Sequence, residues 1–115
     1  MSIVLQAQIP FICDGDFFLS LGNNGNTGFY RVTVDPVTGA IAFLGFSPGN
    51  NSGNNINAMG YRVTDNLIYG VNPGTGQIFA IGSDGGAYLA GTFNNTPGYS
   101  YYAGDMTPDG SQLVV

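Results

Sequence analysis

The side chains able to do acid–base, nucleophilic or metal chemistry in this chain are few and of few kinds. Beside the Ser, Thr and Tyr hydroxyls, seven aspartates, two arginines (Arg31 and Arg62) and Cys13 make up the set, and His, Lys and Glu are absent. A thiol or hydroxyl without a basic neighbour has nothing to deprotonate it, so nucleophilic catalysis has no foundation here. Cys13 follows apolar Phe11-Ile12 and reads as a small buried hydrophobe. A single cysteine excludes an intrachain disulfide, and the lack of His excludes a Cys/His metal centre. No metal and no cofactor is expected.

Five of the aspartates, Asp14, Asp35, Asp65, Asp84 and Asp109, stand in turn sequences, where a short carboxylate folds back on its own backbone. Asp16 and Asp105 remain. Glycoside hydrolysis needs two carboxylates flanking one bond, and these two are the pair left to supply them; a structural role is the stronger reading. Asp14-Gly15-Asp16 begins like a calcium loop, but Phe17-Phe18-Leu19 brings no further oxygen ligands. The chain is expected not to be an enzyme.

The elements holding these residues are short strands. From Asn57 to Phe93 the runs Leu67 to Val71, Gln77 to Ile81 and Ala87 to Phe93 are too short for helices and rich in β-branched and aromatic residues. Thr64-Asp65-Asn66, Asn72-Pro73-Gly74-Thr75-Gly76 and Ser83-Asp84-Gly85-Gly86 supply the turns between them. The fold class is all-β: a β-propeller-like repeat of four-stranded antiparallel blades.

Residues 57–93 form the complete blade, and residues 9–49 an incomplete one lacking its innermost strand. Phe17 to Leu21 is matched to Leu67 to Val71, and Phe29 to Val32 to Ile78 through Ile81, with Gly22 to Gly28 as a long polar connection. Ser47 to Asn55 is an inter-blade linker. Residues 100–115 open the next blade, where Tyr101 to Met106 repeats Asn57 to Tyr61 and Thr107-Pro108-Asp109-Gly110 repeats Thr64-Asp65-Asn66. The period is about 44 to 50 residues, as expected of propeller blades. Gly60 and Gly104 fall together on first strands, which crowd a propeller axis. About two and a third blades are present where closure takes four to eight, so a fragment of a longer propeller is expected, with completion by other copies as the alternative.

Residues 1–8, MSIVLQAQ, read as the remnant of a signal peptide cleaved after Ala7. No run is long enough for a transmembrane helix. With 8% charged residues and a net charge of -5, the chain lacks the clustered Lys and Arg that phosphate backbones and anionic membranes require. Neither nucleic acid nor membrane insertion is expected. Tyr61, Arg62, Tyr101, Tyr102 and Asp105 lie on or beside the inner strands, where aromatic and hydrogen-bonding groups are able to stack on a sugar or grip a peptide; packing between blades is the plainer role.

Pro10-Phe11-Ile12-Cys13-Asp14-Gly15 with Phe17 to Leu21, and Asn57-Ala58-Met59-Gly60-Tyr61 with Leu67-Ile68-Tyr69-Gly70, resemble secreted bacterial propeller-like domains found at the N-terminus of large exported proteins of Bacteroidota and relatives. The resemblance implies a secreted β-propeller with surface attachment or adhesion and no catalytic residues. Members resembling this chain run on for several more blades. The expected function is a non-enzymatic extracellular recognition or adhesion module with a glycan or protein ligand. The alternative is a structural protein that self-assembles into rings or fibres, and the third reading is a carboxylate enzyme such as a glycoside hydrolase or lyase.

Overall fold

The computed structural model describes residues 8–12, 17–23, 25–45, 53–94, 98 and 100–115. Among them are nine strands and no helix, as the turn-dense sequence requires. Strands β1 (Phe17–Asn23), β2 (Asn26–Val34) and β3 (Ile41–Gly45) form an antiparallel sheet in that order. A second sheet carries β4 (Asn57–Arg62), β5 (Leu67–Asn72), β6 (Gln77–Ile81) and β7 (Ala87–Thr92), again in chain order. A third pairs β8 (Asp105–Met106) with β9 (Leu113–Val114).

The turns form for the reasons their residues suggest. Asp35 Oδ1 accepts from the Val37 and Thr38 amides at 2.8 and 3.1 Å, and Gly39 leaves the turn at φ 72°. Asn72 Oδ1 accepts from Gly74 N at 2.9 Å, and Gly76 leaves at φ 70°. In both cases the side chain replaces solvent for a turn amide, and a glycine takes the left-handed conformation that a Cβ disfavours.

Two expectations about the first sheet are corrected. Gly22 to Gly28 is not a long connection. The ladder continues through Leu21↔Gly28, Gly22↔Thr27 and Asn23↔Asn26, leaving only residues 24–25 to join the strands. Their sequence, Asn-Gly, is the one two-residue hairpins favour, and polar side chains do not prevent backbone pairing.

The two strand matches also cannot hold together. Phe17 pairs with Val32, and Ile68 with Ile81. If Val32 corresponds to Ile81, Phe17 corresponds to Ile68 and not to Leu67. A slip of one residue exchanges the faces of a strand, so the correction decides which side chains of the first sheet meet the second.

Those that do are on the Phe29 side. Phe29, Ile56, Phe79 and Ile81 form the buried cluster, with Met59, Ile68 and Ala87 packed against it. Burying each large apolar side chain contributes about 1.5–3 kcal/mol. Between Asn57 and Gly60 the β4/β5 register shifts, with Ala58 at φ 47°. Gly70 lies beneath this bulge: a Cβ there would stand 2.5 Å from Ile56 Cγ2 and Met59 Cγ. Its missing side chain is what lets the bulge close over β5.

Residues 8–12 dock onto the second sheet. Gln8 Nε2 donates to the Ala80 carbonyl at 2.7 Å, and the amides of Ser83 and Phe11 donate to the carbonyls of Ile9 and Asn66, each at 2.8 Å. Phe11 is buried, its ring edge-on to Phe18 at 4.9 Å. The cleavage reading of residues 1–7 and the reading of Cys13 lie outside the described residues.

Candidate functional site

Arg62, Asp65, Asn66 and Tyr69 meet at the β4–β5 turn of the second sheet. Asn66 closes this turn at φ 58°, a conformation Asn tolerates, and its amide donates to the Arg62 carbonyl at 2.9 Å. The geometry turns Asp65 back toward the strands. Its Oδ2 accepts from Arg62 Nη1 at 2.9 Å and from the Tyr69 hydroxyl at 2.6 Å, and its Oδ1 accepts from Leu67 N at 3.2 Å. The Arg62 guanidinium lies 5.7 Å from the centre of the Tyr69 ring. Hydrogen bonds from Arg62 to Asp65, then Tyr69, hold the guanidinium above its ordinary value. Burial, then the bond to Asp65, pushes the Tyr69 phenol up.

Arg62 also reaches out of its own sheet. Its Nε donates to the Gly110 carbonyl at 2.7 Å, joining the β4–β5 turn to the turn between β8 and β9. In that second turn the Thr107 hydroxyl donates to Asp109 Oδ1 at 2.6 Å, and Ser111 donates to the same oxygen from its hydroxyl at 2.8 Å and its amide at 3.1 Å. These bonds, the Thr107 hydroxyl foremost, lower the Asp109 carboxyl from 3.8 to about 2. Gly110 has φ 71°, and a Cβ on it would stand 2.9 Å from Thr64 Oγ1. The two turns are in contact.

Below them the strands approach as closely as backbones can. A Cβ on Gly60 would lie 2.5 Å from Met106 N, and one on Gly104 would run into the Ala58 carbonyl. The two glycines, matched in sequence, face each other's strands. Close packing is the reason for both.

The other expected ligand residues are distributed around this seam. The Tyr61 hydroxyl donates to Asn66 Oδ1 at 2.8 Å. Tyr101 stacks edge-on against Phe93 with ring centres 5.4 Å apart. Asp105 is exposed and accepts from the Met106 amide at 2.8 Å. Tyr102 is 80% exposed. Arg62 thus serves the junction between sheets, and Tyr61 and Tyr101 each have a partner of their own.

Sequence reading named Arg62 but passed over Asp65 and Tyr69 as its partners. The available signal was the spacing of Arg62 and Asp65 across one turn. Asp84, like Asp35, Asp65 and Asp109, accepts a turn amide, that of Gly86, at 2.9 Å. Asp14 and Asp16 lie outside the described residues, and with Asp16 goes the carboxylate pair.

One other feature was not anticipated. A cleft of about 170 Å3 opens beside Phe18, Arg31, Leu44, Gly45 and Ser83, with the Arg31 guanidinium 5.9 Å from the Phe18 ring centre. Among the described residues no group of three His, Cys, Asp or Glu side chains comes together that could hold a metal ion.

A family model described as a repeat of unknown function (DUF6923) matches residues 18–115. No curated protein and no solved structure matches the chain.

Proposed function

The chain belongs to this repeat family of unknown function (DUF6923), and we propose that it is a non-enzymatic recognition or adhesion module, part of a β-propeller in a secreted bacterial surface protein. The observation carrying this reading is how the carboxylates are used. Asp35, Asp65, Asp84, Asp105 and Asp109 each accept a backbone amide within their own turn or strand. A carboxylate that caps a turn is poorly placed to exchange protons with a substrate, since the fold depends on its charged form.

The propeller arrangement is supported by the order of the sheets, by the core between the first and second, and by the backbone approach between the second and third. A partner glycan or peptide would meet Tyr102 and Asp105, both exposed, Asp105 opening β8 and Tyr102 three residues before it. Binding to a glycan and peptide panel, measured for the chain and for Tyr102→Ala and Asp105→Ala, tests the proposal. Loss of a ligand with the circular dichroism unchanged supports it; hydrolysis of any panel member overturns the non-enzymatic reading.

A second reading, self-assembly, is favoured by one observation. Among the described residues, the face of the first sheet opposite Phe29 is apolar and exposed at Phe17, Leu19, Leu21, Val34, Ile41 and Phe43.

A further inference from the structure

Pairing across the first sheet puts Phe18, Arg31 and Leu44 opposite one another on neighbouring strands. Directly paired residues share a face, and Phe29, two residues before Arg31 on β2, turns that face toward the second sheet. The same three residues line the cleft of about 170 Å3, together with Gly45 and with Ser83 from the β6–β7 turn of the second sheet. Residues 8–12 brace it on both sides. Phe11, 4% exposed, packs edge-on to Phe18 at 4.9 Å, and the Ile9 carbonyl accepts from the Ser83 amide at 2.8 Å.

Packing does not require an arginine at this place in the repeat. Under the corrected match, Phe18, Arg31 and Leu44 correspond to Tyr69, Ala80 and Tyr88, which pair in the same way in the second sheet. Ala80 is 3% exposed, so there the repeat closes over a methyl group. Arg31 is exposed instead, its guanidinium 5.9 Å from the centre of the Phe18 ring. A ring face holds a cation without offering a hydrogen-bond acceptor, so this contact uses none of the five guanidinium N–H donors. Arg31 is one of two cations in a chain of net charge -5, and the other, Arg62, is bound to Asp65 and Gly110. None of the five residues named as lining the cleft is acidic, and Asp84, next after Ser83, is engaged at Oδ1 by the Gly86 amide.

We propose that this cleft binds a hexuronic acid unit of a glycan, with Arg31 taking its carboxylate. The inference rests on the recognition reading and adds to it a ligand class and a second surface, since the cleft shares no residue with Tyr102 and Asp105. The guanidinium fork matches a carboxylate with two parallel hydrogen bonds, and such charge-assisted pairs are about twice as strong as neutral ones. The volume falls below the roughly 300–1,000 Å3 of pockets for drug-sized ligands, which suits a single sugar ring. Phe18 and Leu44 offer apolar surface to the C–H face of that ring, and Ser83 offers a hydroxyl to its hydroxyls. An acidic peptide side chain brings the same carboxylate but no ring to fill the apolar remainder.

The test is a titration of the 15N-labelled chain, followed by its amide shifts, with methyl galacturonoside, with methyl galactoside, which carries CH2OH in place of the carboxylate, and with a blocked aspartate. The uronoside is expected to bind in the millimolar range, about tenfold or more tighter than either competitor, and to shift the amides of Leu44, Gly45 and Ser83. Arg31→Ala copies the residue at the equivalent position of the second sheet and should weaken binding about tenfold or more with the circular dichroism unchanged. Arg31→Lys keeps the charge without the fork and should weaken it less. Tyr102→Ala should bind as the wild type does. Should Arg31→Ala lose its β signal, the wild-type shifts still locate the ligand. Equal affinity for the galactoside, preference for the blocked aspartate, shifts confined to residues outside the cleft, or unchanged binding in a folded Arg31→Ala overturns the proposal. So does the absence of any shift at about 10 mM uronoside. A uronoside lost in Tyr102→Ala but kept in Arg31→Ala removes the cleft and leaves the recognition reading standing.

Discussion

The Thr27 hydroxyl does for Ile56 what a neighbouring strand would do. It donates to the Ile56 carbonyl at 2.8 Å and accepts from the Ile56 amide at 2.9 Å, while the Thr27 amide donates to the Asn54 carbonyl at 2.8 Å. Thr27 and Ile56 are 2% and 3% exposed. One hydroxyl thus satisfies two buried backbone groups and fixes the segment entering β4 against β2.

Thr27→Val keeps the shape and removes both bonds. Each buried group left unpaired costs about 1–3 kcal/mol, so a loss of about 2–4 kcal/mol is expected in urea unfolding. Thr27→Ser should lose only about 1 kcal/mol, the contribution of one buried methyl. Equal losses for the two variants would show that the methyl, not the hydroxyl, holds the segment.

Gly60→Ala and Gly104→Ala should each destabilise by about 1–3 kcal/mol, since the added carbon meets backbone that has no rotamer to change. Gly91→Ala is the control. Nothing lies within 4 Å of a Cβ there, and Ala in a strand is about 0.5–1 kcal/mol better than Gly. Thermal unfolding should separate the two classes by sign.

The Arg62 junction predicts coupling between turns. Tyr69→Phe should cost about 1 kcal/mol and Arg62→Gln should also destabilise, the two together less than additively, because both act through Asp65 Oδ2. The pair with Asp65 is partly exposed, so 1 M salt should weaken it. A cycle with zero interaction energy would separate Arg62 from Tyr69.

Asp109 sets an acid limit on the β8–β9 turn. Its folded carboxyl is lowered from 3.8 to about 2, so the stabilisation it brings is complete above the ordinary value and is lost as the pH falls through about 2. A 13C carboxyl titration should follow that midpoint, and Thr107→Val should move it up toward 3.8. A midpoint unchanged by the substitution would remove Thr107 as the principal cause.

Left-handed positions give a further contrast. Gly110→Ala, at φ 71° and against Thr64, should cost about 1–2 kcal/mol, whereas Asn66→Gly, at φ 58°, should cost less despite losing the bond from Tyr61. Chemical denaturation of the two variants checks the order.

The sequence by itself determined what is local. Asp35 and Asn72 cap their turns with side chains two residues from the amides they bind, so residue order alone specifies the contact. Strand residues such as Leu67-Ile68-Tyr69 reveal their class by type, and the lack of His, Lys and Glu removed whole categories of chemistry. Tertiary structure decided what depends on distance along the chain. Thr27 meets Ile56 across 29 residues, Arg62 meets Gly110 across 48 and Gln8 meets Ala80 across 72. Nothing in the composition near either partner announces these contacts. Register behaved the same way, because matching Phe17 to Leu67 or to Ile68 differs by one residue in sequence but by an entire face in space. Side-chain type is a local property and favours one backbone conformation over another. Which face becomes core, and which polar groups are used to hold sheets together, is settled only when separate segments compete to bury the same surface.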